Sequence, residues 1–157
     1  MAPEIGARVL AMAPDDRVLL LLSIDPDFPE RRWWDLPGGK TFPKESVNDA
    51  AKRELLEETG IVADELGPHL WDREVRFVYR GKRYHRRDSV FLARVEDTTP
   101  THEPTHTANE QANLIESRWW TLDEMTHSSA RFLPPNLPDL VSSLLRGELR
   151  APLMLRR

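Results

Sequence analysis

The chain has no cysteine, so disulfide staples and thiolate zinc sites are excluded, a pattern that fits a reducing, cytoplasmic setting. Long apolar runs are missing as well. Nothing approaches the ~18 uninterrupted apolar residues of a membrane span, and Arg8 breaks the short apolar run near the start. The first residues lack the charged-then-apolar pattern of a secretory signal. Net positive charge is absent too. The 22 Lys and Arg against 26 Asp and Glu leave −4, so no overall field draws the chain to nucleic acid or to a membrane. An anionic ligand must therefore be held by local cations or by metal. Internal repeats are not found.

What is present predicts one folded unit. With 157 residues, 39% of them hydrophobic, the chain is long enough to enclose a single core. We read one domain over residues 1–157, with a short flexible tail after about 148. Apolar runs at 7–13 and 18–24 flank Pro14-Asp15-Asp16 and predict two strands joined by a tight turn. A polar loop follows, and then Trp33-Trp34-Asp35-Leu36 leads into the breaker cluster Pro37-Gly38-Gly39. Ser46 with Asp49 three residues later resembles a capping box. Val47, Ala50, Ala51 and Leu55 recur at helical spacing, and Gly60 supplies a stop, which predicts a helix over 47–59. Strands are expected at 71–79, 84–95 and 117–122, the first two joined at Arg80-Gly81-Lys82. Pro138 opens a last helix that Gly147 ends. Strands and helices alternating in this way predict an α/β fold with a mixed sheet.

The central helix is unfavourable taken alone. Glu54 lies three residues before Glu57 and four before Glu58, so their side chains share a face. Like charges at such spacings cost roughly 0.2–0.5 kcal/mol per pair. The helix dipole adds to this cost, because the glutamates crowd the C-terminal end. A divalent cation reverses the sign, since close carboxylates form a hard oxygen site of the kind Mg²⁺ shares with waters and phosphates. A backbone carbonyl at Gly38 or Gly39 is a further candidate ligand. Arg53, four residues before Glu57, is placed to orient a carboxylate. A solvated acidic face is the plain alternative for three glutamates alone.

The stretch Gly39–Ile61, GKTFPKESVNDAAKRELLEETGI, narrows the choice. Its Gly39, Glu45, Arg53, Glu54, Glu57, Glu58 and Gly60 match the signature Gly-x5-Glu-x7-Arg-Glu-(apolar)-x-Glu-Glu-x-Gly-(apolar). In this the chain resembles the Nudix (MutT-like) hydrolases. The resemblance implies an α/β/α sandwich and Mg²⁺-dependent hydrolysis of a nucleoside diphosphate linked to another group, with Mn²⁺ as a substitute metal. It implies Glu54, Glu57 and Glu58 as metal ligands, Arg53 and Glu45 as residues that order the loop and the ligands, and Gly38 and Gly39 as residues that shape the loop before the helix; the Gly38 carbonyl stays a candidate metal ligand from the backbone reading above. Candidate substrates are nucleoside triphosphates (oxidised ones included), ADP-ribose and dinucleoside polyphosphates. Many members have Gly directly before the first box glutamate; here it is Lys44, a surface lysine or a phosphate contact.

Outside the box the readings stay open. The family often draws another carboxylate from a late loop, and the polar connection 96–116 offers Glu103, Glu110 and Glu116, with Glu110 preferred and Glu116 second. His102 and His106 have metal-ligand spacing, but Pro104 between them argues for loop residues. Of Trp33 and Trp34, one is a candidate to stack on a nucleobase while alternation buries the other. Lys40, Tyr79 and Arg87 are further candidate substrate contacts, and Trp119 and Trp120 are packing residues. Arg80, Lys82, Arg83, Arg86 and Arg87 form a basic hairpin, either a solvated edge protected by charge or a clamp for polyphosphate or an RNA 5′ end.

The expected partner is a nucleotide-type small molecule, with no membrane, nucleic acid not expected, and a monomer or homodimer. The rival is a non-catalytic nucleotide-sensing or RNA-binding module on the same fold, for which loss of box glutamates would be expected.

Overall fold

The computed structural model describes residues 2–106 and 114–156. Strand β1 (Glu4–Met12) turns back into β2 (Val18–Ile24), and β3 (Arg32–Asp35) and β4 (Gly38–Lys40) lead to helix α1 (Val47–Thr59). A long hairpin, β5 (His69–Tyr79) and β6 (Lys82–Arg94), comes next. Strand β7 (Leu114–Trp120), α2 (Leu122–His127), β8 (Phe132–Leu133), α3 (Leu137–Leu145) and β9 (Leu153–Arg156) complete the described elements. The strands join in one sheet of order β8-β3-β2-β1-β6-β5-β9, with β4 added to β1 and β7 to β2. Parallel β1–β6 and antiparallel β5–β6 pairs make it mixed, as expected.

Alternation along β1 divides the core in two. Ala7, Val9 and Ala11 pack with Ala50, Ala51 and Leu55 of α1 on one face. Leu10 and Met12 face the other way, into a cluster with Trp71, Leu140 and Val141. The result is the expected sandwich, with α1 on one side of the sheet and α3 on the other.

Local chemistry explains the helix that matters. The Ser46 hydroxyl accepts from the Asp49 N–H at 3.1 Å and caps the start. Gly60, at φ 75°, closes the end by donating its N–H to Leu56. The helix spans the residues that the spacing predicts.

Three features differ from expectation. The glycine cluster does more than break the chain: Gly38–Lys40 form β4, whose antiparallel pairing to Gly6–Arg8 ties the loop to the central strand. The stretch read as a flexible tail contains β9, which pairs in parallel with Trp71–Glu74. Helix α2 was not anticipated, although Thr121 and Glu124 form a reciprocal capping box there.

Candidate functional site

Arg53 is the hub of the acidic end of α1, and all five of its N–H donors have acceptors. Its Nε and Nη2 reach the Glu45 carboxylate at 2.8 and 3.0 Å. Its Nη1 bonds both Glu54 and Glu57, at 3.0 and 3.1 Å, and Nη2 also donates to the Lys40 carbonyl at 3.2 Å. One nitrogen thus holds two carboxylates within a few ångströms of each other. The Phe42 ring covers the guanidinium at 3.7 Å. The Arg53 bond, helped by the Phe42 N–H, holds the Glu45 carboxyl below the ordinary range, while the Glu45 contact keeps Arg53 firmly charged. The order of box residues is legible here: Glu45 orients Arg53, and Arg53 orients Glu54 and Glu57.

Glu54 and Glu58 turn toward the glycine loop. Glu58 Oε1 accepts the Gly38 N–H at 2.7 Å, and both carboxylates are buried. At Gly39 a Cβ would stand 2.7 Å from Glu54 Oε1, so any side chain there would push the carboxylate away from its bond to Arg53. Glu57 is the open member, with a third (33%) of its side chain exposed.

The carboxylates are hard oxygen donors of the type a divalent cation takes. Among the described residues, no group of three or more acidic or imidazole side chains converges as a ready cage. Glu54 and Glu57, held side by side by one Arg53 nitrogen, suit an ion such as Mg²⁺, which takes a few carboxylates and keeps several waters.

The connection 96–106 straps the end of α1. Thr105 N–H donates to the Glu57 carbonyl at 2.7 Å, His106 Nε2 pairs with the Glu58 carbonyl at 3.0 Å, and Thr101 N–H donates to the Gly60 carbonyl at 3.0 Å. These satisfy carbonyls that a helix end leaves without partners. A Cβ on Gly60 would collide with the His102 carbonyl, so this glycine serves both the turn and the strap. His102 and His106 are loop residues, as the intervening proline suggests. The strap's role was missed because its bonds come mainly from backbone, which leaves no periodic mark in sequence. Beneath it lies a cavity of about 180 Å³, lined in part by Leu21, Glu58, Thr59, His106, Glu116 and Ser117.

The remaining candidates fall in different places. Glu116, exposed on β7, shares that cavity with Glu58. Glu103 is exposed on the strap, and Glu110 lies outside the described residues. Trp34 is 7% exposed and packs edge-on against Trp120 at 5.0 Å, so it is a core residue and presents no stacking surface. Trp33 is the half-buried member of the pair. Trp119 packs against the α1-side core. Lys40 pairs with Glu4 at 2.6 Å, while Arg87 donates to Asp72 at 3.0 Å. Tyr79 sits near the tip of β5, edge-on to Tyr84 at 6.4 Å. Arg86 is not a solvated edge residue: its Nε lies 3.0 Å from the fully buried Asp88. Lys44, at φ 67°, bends the loop just before Glu45.

A second charged cluster, which sequence reading did not foresee, anchors the glycine loop from behind. Arg8 reaches Asp88 at 2.8 Å and the Leu36 carbonyl at 2.7 Å, just ahead of Pro37-Gly38. Arg73 bridges Asp35 at 3.1 Å and Asp88 at 3.3 Å. Burial opposes the charge on Asp88, but Arg8, Arg86 and Arg73 overcome it and hold its carboxyl at about 2. The available signal was phase, since Arg8 is in step with core residues Leu10 and Met12 along β1.

Comparison with known proteins places this architecture. The NUDIX domain family model matches residues 2–140. A putative 8-oxo-dGTP diphosphatase of Bacillus subtilis is 44% identical over 55 residues, which are 35% of this chain and 34% of that protein. The chain thus matches about a third of that relative's length. Among solved structures, a MutT NUDIX hydrolase from Burkholderia pseudomallei is 27% identical. It aligns with a TM-score of 0.57 over 79% of this chain and 87% of its own. The NUDIX domain of Shewanella oneidensis NrtR, solved with ADP ribose, is 19% identical, with a TM-score of 0.65 over 92% and 90% of the two chains. That last likeness speaks for the fold alone.

Proposed function

The chain belongs to the NUDIX domain family, and we propose that it is a pyrophosphohydrolase that cleaves a nucleotide-linked diphosphate with the help of Mg²⁺. The observation that carries this reading is the Arg53 hub, in which one guanidinium aligns Glu54 and Glu57 beside the glycine loop. A cation bound there supplies charge neutralisation for the diphosphate and a more acidic water. Glu57, the most open box carboxylate, and Glu54 are its ligands in this reading, with Glu58 and the Gly38 carbonyl completing the candidate set. Glu45 and Arg53 keep the ligand oxygens in place, so that little reorganisation accompanies the reaction.

Glu116 is the described carboxylate suited to take a proton from the attacking water, because it is exposed and lines the same cavity as Glu58. Trp33, Lys40, Tyr79 and Arg87 remain candidate contacts for the nucleotide and its leaving group. The name of one relative, a putative 8-oxo-dGTP diphosphatase, suggests where to begin. Nucleoside triphosphates, oxidised forms included, ADP-ribose and dinucleoside polyphosphates are the candidate substrates.

A panel of oxidised and ordinary nucleoside triphosphates, ADP-ribose and dinucleoside polyphosphates tests the proposal, each incubated with Mg²⁺ and read by the identity of both products. Release of a nucleoside monophosphate from at least one member supports the enzyme. Tight metal-independent binding of one member with no product from any would establish the sensing module in its place.

A further inference from the structure

The β5–β6 hairpin outruns the sheet that carries it. On one side β9 pairs with β5 only as far as Glu74, and on the other β1 begins its pairing with β6 at Arg86. Among the described residues, the two strands pair only with each other from residue 76 to residue 85, Arg76 with His85 through Tyr79 with Lys82. The turn is tight, with Arg80 at φ 50° and Gly81 at φ 76°, the backbone of a primed two-residue turn. A two-stranded ribbon with open edges projects from the body of the protein.

Its composition is unlike the rest of the chain. Residues 75–87 hold six Lys or Arg and no Asp or Glu, within a protein of net charge −4. Arg86 and Arg87 are committed to Asp88 and Asp72. Arg76, Arg80, Lys82 and Arg83 are exposed and have no carboxylate partner among the described residues. Cross-strand pairing places Phe77, Tyr79, Lys82 and Tyr84 on one face, and Arg76, Val78 and Arg83 on the other. The Phe77 and Tyr84 rings stack at 5.1 Å, with Lys82 5.2 Å from the Tyr84 ring and Arg80 5.7 Å from that of Tyr79.

We infer that this ribbon is a binding surface for single-stranded nucleic acid, with bases against its aromatic face, Arg80 and Lys82 on the phosphates beside them, and Arg76 and Arg83 on phosphates where the strand passes round the open edge to the other face. Charge complementarity selects this occupant, because a strand of phosphodiesters matches an exposed run of like charge and unstacked bases match aromatic rings. The fully buried core of a protein interface is depleted of charged residues, whereas four exposed charges span this ribbon. Here Val78 is the one large apolar side chain exposed on the ribbon. The inference stands apart from the hydrolase reading, since none of the four cations belongs to the proposed catalytic set.

Fluorescence anisotropy with labelled single-stranded RNA and DNA of about 12 nucleotides tests it on the full chain. Binding of either strand should weaken by roughly 30-fold between about 50 and about 200 mM salt, as expected for three to four phosphates neutralised. The R76E/R80E/K82E/R83E variant, checked for an unchanged melting temperature, should bind at least ~30-fold more weakly at low salt. Tyr84→Ala, which keeps every cation, should lose about five-fold or more through stacking. Undiminished binding by the charge-reversed variant overturns the inference, as does the absence of binding at low salt. So would tighter binding of a duplex of equal length, or a variant altered in oligomeric state with its RNA and DNA affinity intact.

Discussion

Two arginine-centred clusters flank the glycine loop, and their charge balances are opposite. Behind the loop, Arg8, Arg73 and Arg86 surround Asp35 and Asp88, three cations for two anions. Asp88 is wholly inaccessible there, and the Arg73 side chain is 4% exposed. In front of the loop, the single Arg53 serves Glu45, Glu54 and Glu57, one cation for three anions, with Glu57 open to solvent. Glu58 stands between the two, bonded to Gly38 and felt electrostatically by Arg8. A buried cluster must be near neutral to be tolerated, and this one approaches neutrality once Glu58 is counted. An open cluster can carry unbalanced negative charge because solvent or a bound cation supplies the remainder. On the proposed function, the rear cluster serves stability and the front one serves the chemistry.

Removing Arg73 should break the comparison on the stability side. Arg73→Ala leaves Asp35 and Asp88 short of a partner in the core and is expected to cost about 3–5 kcal/mol in denaturant unfolding, with turnover of the remaining folded protein unchanged. Removing Arg53 should do the reverse. Arg53→Ala is expected to lower turnover by at least ~100-fold while costing less stability than Arg73→Ala, since Glu57 can rehydrate although Glu45 and Glu54 lose a partner. If both variants lost stability alone, the division of labour would be wrong.

Acid separates the clusters further. Asp88 is held at about 2 against an ordinary 3.8, so its contribution is complete above about pH 4 and is lost as pH falls toward 2. That contribution is about 2 kcal/mol. Unfolding measured across this window should show a slope that Asp88→Asn reduces, the remainder coming from other carboxylates held low, Glu45 and Asp72 among them.

How much of this could be read beforehand depended on the kind of signal. Helix α1 was legible to the residue, because Ser46, the Val47–Leu55 apolar stripe and Gly60 each act through local backbone chemistry. The Arg53 hub was legible in part: the offset to Glu57 suggested one bond, whereas the link to Glu45 follows from the loop doubling back. The rear cluster was not legible, because Arg8, Asp35, Arg73 and Asp88 are far apart in sequence and meet only through strand register. Strand β9 was missed for a similar reason, as its four residues become a strand by pairing with β5. Trp34 and Trp33 illustrate the middle ground: alternation required one to be buried, and only packing against Trp120 decided which.

A smaller effect tests how the front cluster is held. His106→Ala removes the strap's bond to the Glu58 carbonyl and should cost about 1 kcal/mol, with faster proteolysis at residues 100–106. His106→Gln, which can donate from a similar reach, should recover most of it.

The central claim is that the unbalanced carboxylates in front of the loop exist to hold a cation for catalysis, and Glu57 tests it most directly. Hydrolysis of the preferred nucleotide should be measured with Mg²⁺ for the natural protein and for Glu57→Gln, alongside their melting curves. The account predicts a loss of at least ~100-fold in turnover with melting temperatures within a few degrees. Turnover within a few-fold of the natural protein would contradict it.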